Sequence, residues 1–80
     1  MTEREMTPKQ GQYLAFIYYY EKVMRQPPAE TDFQRCFGVT GPTVHQMIVK
    51  LEEKGFIARE RGQPRSIRLL VPREELPDLE

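Results

Sequence analysis

Gly41-Pro-Thr-Val-His-Gln-Met-Ile-Val-Lys-Leu-Glu-Glu-Lys-Gly55 places apolar side chains at Val44, Met47, Ile48 and Leu51, at intervals of three and four residues. That spacing lines one side of an α-helix. Gly41-Pro42 opens the helix, because a proline in the first turn gives up only an amide that has no partner there. Gly55 closes it, and Lys54 beside it suits the negative end of the helix dipole. Thr43, His45, Gln46, Val49, Lys50 and Glu53 point outward or along the flanks.

Upstream, Ala29 to Phe37 reads as a short helix with Phe33, Cys36 and Phe37 inward, closed by Gly38 in the left-handed conformation. Two short helices joined by a tight, glycine-containing turn form a helix-turn-helix. Further upstream, Thr7-Pro8 is a strong helix start. Tyr13, Phe16, Ile17, Tyr20 and Met24 then repeat along one face, with Leu14 and Val23 widening the stripe, until Pro27-Pro28 stops the helix. This predicts a first helix over Pro8 to Arg25. Consecutive helical residues point ~100° apart, so Tyr18, Tyr19 and Tyr20 cannot all face one core. They read as rings half-buried at its edge or as a partner contact.

Downstream, 56–60 and 66–71 are apolar-rich strand candidates separated by Arg61-Gly62-Gln63-Pro64-Arg65, a loop sequence. They predict a β-hairpin with a basic tip. The fold class is therefore mainly α with a small β-hairpin, a three-helix winged helix-turn-helix over residues 7–71. Residues 1–6 are expected to be flexible, and 72–80 to be an acidic tail or linker without regular structure.

Eighty residues suffice for one domain, and 39% hydrophobic with 30% charged residues is the composition of a folded chain. No apolar run approaches the ~18 residues that cross a bilayer, and the N-terminus carries acids where a signal peptide would be basic. A cytoplasmic location without membrane contact is expected. Cys36 is the single cysteine and His45 the single histidine, so neither a metal site nor a nucleophile–base pair has its parts. No enzymatic activity and no cofactor are expected, and Cys36 reads as packing.

The formal charge is zero, but it is unevenly placed. Between Thr40 and Arg68 six bases (Lys50, Lys54, Arg59, Arg61, Arg65, Arg68) stand against three acids, whereas in the last ten residues Arg73 stands against four acids. A basic segment followed by a solvated acidic tail accounts for the neutrality.

A helix with short hydrogen-bonding residues at its start can read base edges in a major groove about 12 Å wide. Thr43 can bond a base and offer thymine its methyl; Gln46 can pair with adenine at two points. His45 reaches a base or a phosphate, and Lys50 suits phosphate. Basic residues at the hairpin tip can follow the backbone or enter the minor groove. The expected partner is thus double-stranded DNA, bound by a dimer. The expected contacts are Thr40, Thr43, His45, Gln46 and Lys50 with Arg61, Gln63, Arg65 and Arg68. The competing reading, motivated by zero net charge, Glu52, Glu53, Glu60 and the surplus tyrosines, is a winged-helix module for protein interaction or assembly.

The run from Gly41 to Ile57 resembles the recognition helix and following strand of winged-helix repressors, including the MarR group. Thr7-Pro-Lys-Gln, Pro27-Pro28, Lys54-Gly55 and Gly62-Gln-Pro-Arg-Ser-Ile-Arg-Leu69 together resemble the DNA-binding domain of LexA-type repressors, over Thr7 to Leu70. The resemblance implies base reading by Thr43, His45 and Gln46, backbone contact by the hairpin, and a role as transcriptional repressor. The stretch from Pro42 to Gly55 is one residue shorter than in LexA-type domains, which rotates part of the helix by ~100° and leaves the choice of readers open. Self-cleavage, which the resemblance attaches to a separate Ser-Lys domain, is not implied for these residues.

Overall fold

Thr7 caps the first helix from both sides in the computed structural model, which describes residues 5–80. Its hydroxyl accepts from the Gln10 amide at 3.1 Å, and the Gln10 side-chain oxygen accepts from the Thr7 amide at 3.1 Å. A cap of this kind stabilises a helix start by about 1 kcal/mol. Of the N-terminal segment expected to be flexible, residues 1–4 lie outside the described residues.

The helix so started, α1 (Pro8–Met24), ends at Arg25, which takes the left-handed conformation at φ 62°. Its middle is buried at five consecutive positions, Tyr13 to Ile17. A stripe at helical spacing cannot do that, so α1 must be covered on more than one side. On one side lie the rings of the second helix, α2 (Glu30–Phe37). Tyr13 stacks on Phe37 at 4.4 Å, and Phe16 meets Phe33 edge-on at 5.0 Å. Another side is covered by the hairpin and the C-terminal segment. Two residues assigned to the inward stripe do not join it: Val23 is 73% and Met24 52% exposed. The chain turns away at Pro27-Pro28 before anything can cover the last turn of α1. All three tyrosines from Tyr18 to Tyr20 are half-buried.

In α2, Phe33 is fully buried and Phe37 packs on the core, but Cys36 is exposed, against the expectation that it faces inward. The two rings occupy the inward face and leave the thiol outside it. Gly38 closes the helix at φ 64°. After a two-residue turn Thr40 caps α3 (Gly41–Glu53), whose Val44, Ile48 and Leu51 are fully buried while Met47 is partly so. The inward face of α3 matches its periodicity.

Strands β1 (Ile57–Ala58) and β2 (Arg68–Leu69) pair antiparallel, Ile57 opposite Leu69 and Ala58 opposite Arg68. A further bond from the Leu70 amide to the Phe56 carbonyl at 2.8 Å ties the open end. The ladder is shorter than the strand candidates suggest because residues 59–67 form a wide loop with its own internal bonds. Residues 72–80 also depart from expectation. Arg73–Glu75 form a 3₁₀ turn, Leu76 enters the core and Leu79 packs against it. Gln12 donates to the Asp78 carbonyl at 2.9 Å and accepts from the Glu80 amide at 2.8 Å. The acidic side chains stay exposed while their backbone lies on α1.

Candidate nucleic-acid interface

The exposed side of α3 is set by what the core takes from it. With Val44, Ile48 and Leu51 buried, Thr43, His45, Gln46 and Lys50 are all exposed. At 100° per residue, Gln46 stands at the middle of that face, Thr43 and Lys50 on one flank, and His45 with Val49 on the other. Thr40 is occupied by its cap: its hydroxyl accepts from the Thr43 amide at 3.4 Å and lies 3.0 Å from the Thr43 hydroxyl. The cap orients Thr43 at the start of the helix.

The loop between the strands is built around Ser66. Its hydroxyl accepts from the Glu60 amide at 2.9 Å and is shared as donor between the carbonyls of Glu60 (3.1 Å) and Gln63 (2.9 Å). The Gln63 amide bonds the Glu60 carbonyl at 3.2 Å, and Gly62 supplies a φ of 78° that a side chain would resist. Arg61, Gln63 and Pro64 are thereby left exposed at the tip.

A cleft of about 870 Å³ joins this loop to α3. His45 and Val49 form one wall, Arg61, Gly62 and Gln63 the other, and Glu30 lies at the start of α2 between them. The wing and the outer flank of α3 therefore face the same side. Of the expected contacts, His45, Arg61 and Gln63 line the cleft; Thr43, Gln46 and Lys50 lie on the adjoining face of α3; Arg68 is exposed on β2 outside the cleft lining.

Part of the charge in the cleft is paired off, while Glu60 and Arg61, which also line it, are exposed. Glu30 sits 3.3 Å from His45 Nδ1 and 3.6 Å from the Arg59 guanidinium, which also bonds Glu52 at 3.0 Å. Exposed pairs like these stabilise by at most about 1 kcal/mol. Their larger effect is to keep Glu30 and Glu52 from opposing an anion. Arg59 lines the cleft although no motif marked it, and only its place after the strand-forming Phe56-Ile57-Ala58 hinted at that role.

Arg65 is turned the other way. Its Nη1 donates toward Asp32 at 3.1 Å, the Pro27 carbonyl at 3.0 Å and the Tyr20 hydroxyl at 3.2 Å. This is no free wing cation but an anchor on the corner between α1 and α2. Asp32, its partner, is among the residues that pattern reading missed; the available signal was an acid three residues past Ala29, able to accept from that amide, as it does at 2.8 Å. Burial alone would raise the Asp32 pKa, but the Ala29 amide, the Tyr20 hydroxyl and Arg65 outweigh it and hold the carboxyl below the usual aspartate range.

Residues 5–62 match the model of the iron dependent repressor family, N-terminal DNA binding domain. The chain belongs to this family of DNA-binding domains. It is also 42% identical over 74 residues to the LexA repressor of Pelotomaculum thermopropionicum, covering 88% of this chain and 34% of that protein. The LexA repressor of Syntrophomonas wolfei is 34% identical over 79 residues, covering 98% and 37%, and that of Thermotoga neapolitana 33% identical over 66 residues, covering 82% and 34%. The chain spans about a third of the length of the curated relatives it matches. The resemblance to LexA-type domains is thus borne out, and with it the winged-helix architecture.

The family's name raises the question of iron. Among the described residues no three His, Cys, Asp or Glu side chains come together to hold a metal ion. Cys36 is exposed at the end of α2, and His45 meets a single carboxylate, Glu30. Among the described residues this donor set does not fit an iron site. Among the described residues no helix is long and apolar enough to cross a membrane.

Proposed function

We propose that this domain is the DNA-reading part of a cytoplasmic transcriptional repressor that binds double-stranded DNA as a pair of copies on a palindromic operator. The outer face of α3 enters the major groove, with Thr43 and Gln46 toward base edges and Lys50 toward phosphate. The wing lies along the flanking backbone or minor groove, with Arg61 and Gln63 at its tip and Arg68 on its strand. His45, held by Glu30, works at the edge of the groove, and Thr40 acts through its cap on Thr43.

The observation that carries this reading is the shared cleft between α3 and the wing, in a chain whose family is DNA-binding. With Arg65 committed to Asp32, three of the expected contact residues remain as cations for phosphate: Lys50, Arg61 and Arg68. Three phosphate contacts correspond to a log-log salt slope of about −2.7 per monomer. Titration of the purified domain with duplex DNA at a series of salt concentrations measures it. A slope indistinguishable from zero, or no chemical-shift change on adding duplex, would leave the protein-interaction module as the surviving account.

A further inference from the structure

Two polar points among the described residues fasten the wing to the body of the protein: Arg59, which pairs with Glu30 and Glu52, and Arg65, which reaches the corner between α1 and α2. Arg65 precedes Ser66, whose hydroxyl closes the loop, and Ile67, which is buried. The Arg65 guanidinium nitrogen is shared among Asp32, Pro27 and Tyr20, and the guanidinium lies 5.9 Å from the centre of the Tyr20 ring. The same Asp32 oxygen that receives Arg65 also receives the Ala29 amide at the start of α2. One carboxylate thus joins the stem of the wing to the entry of α2, whose Ala29 and Glu30 line the cleft.

Burial decides what Arg65 can do. The Asp32 side chain is 9% exposed and that of Arg65 37%. Drawing Arg65 out to a phosphate would leave this buried carboxylate only the longer, exposed pair with Arg35 at 3.7 Å, a larger loss than an exposed phosphate contact regains. Arg61 and Arg68 are exposed as well, but among the described residues neither is paired with a carboxylate as Arg65 is.

We propose that Asp32 and Arg65 are positioning residues that set the distance between the wing and α3, and so the fit of both to a duplex, without themselves touching DNA. This rests on the duplex-binding reading above. On this view Arg65 acts through Asp32, and Asp32 contributes nothing to affinity once Arg65 is gone.

The test is a double-mutant cycle on the full chain, read by fluorescence anisotropy with labelled duplexes of different sequence at fixed salt. Arg65→Ala is expected to weaken binding to every duplex about tenfold, Asp32→Asn several-fold in the same direction, and the double variant no more than Arg65→Ala alone. Asparagine can still accept from Ala29, so the start of α2 survives. Tyr20→Phe, which removes only the hydroxyl, should give a smaller loss of the same kind. If Asp32→Asn leaves binding unchanged or tightens it, and Arg65→Ala costs the same factor in both backgrounds, Arg65 is a phosphate contact and the proposal falls. Amide exchange in the DNA-free protein is a second readout: residues 66–69 should exchange faster in Arg65→Ala and Asp32→Asn alike, while Ile48 and Leu51 keep their protection. Unchanged exchange at 66–69 would overturn the anchor itself. A wild-type chain without duplex affinity would overturn the interface, an outcome distinct from either of these.

Discussion

Asp32 shows how one side chain links stability to pH. Its pKa is lower in the folded protein than in an unfolded chain, where aspartate titrates near ~3.9, because the Ala29 amide, the Tyr20 hydroxyl and Arg65 outweigh the effect of burial. A depressed carboxylate binds fewer protons folded than unfolded. Its stabilisation is therefore fully present above the unfolded value and is lost as pH falls through the folded value. Urea unfolding should find Asp32→Asn less stable than wild type at pH 7 by about 1–2 kcal/mol, a range set by a charge-assisted hydrogen bond that is partly solvent-screened. Toward pH 2 the gap should narrow. A gap of constant size from pH 7 to pH 2 would mean that the ionised carboxylate contributes nothing.

At the level of elements, the helices could be read from the sequence because their signals are local. Thr7-Pro8, Gly38 and Gly41-Pro42 each act within one turn, and the 3.6-residue period of Val44, Ile48 and Leu51 needs no distant partner to be recognised. The hairpin was legible as a hairpin, but its pairing was overestimated, since Ser66 and Glu60 satisfy each other inside the loop instead of extending the ladder. What could not be read were the directions of side chains that meet across long stretches of chain. Arg65 looks like any wing cation until Asp32 is seen 33 residues away, and the C-terminal segment looks solvated until Gln12 is seen bonding Asp78 and Glu80. The docking of that segment depends on Gly11, where an added Cβ would come within 2.9 Å of Pro77 and 3.3 Å of the Met6 sulfur. Gly11→Ala should favour α1 by up to ~1 kcal/mol through helix propensity alone yet overpack the contact by about 1–3 kcal/mol. The net expectation is a lower melting temperature with faster exchange at Leu76. A variant that melts higher, with Leu76 still protected, would show that Pro77 gives way freely.

For the whole molecule, size limits what a single copy can do. The described body measures 34 × 24 × 22 Å, and the contacts proposed above, three cations with one helix face, are a small set compared with those of a tight specific complex. Two copies on one duplex add their contacts, provided both can face the same side of it. Successive major grooves on one side of the duplex recur every ~34–36 Å, or 10–10.5 base pairs, and a body 22–24 Å across its shorter axes fits between them without collision. Duplexes carrying two inverted half-sites about one turn apart should therefore bind two chains. Inserting about 5 base pairs turns the second site to the opposite side by half a turn. If the copies assist one another, the insertion should return binding to that of two independent, weaker sites, seen as loss of sigmoidal titration and of the doubly bound band in a mobility-shift assay. If the copies occupy their half-sites independently, affinity and band pattern will be indifferent to spacing, and pairing on the operator must then come from outside residues 5–80.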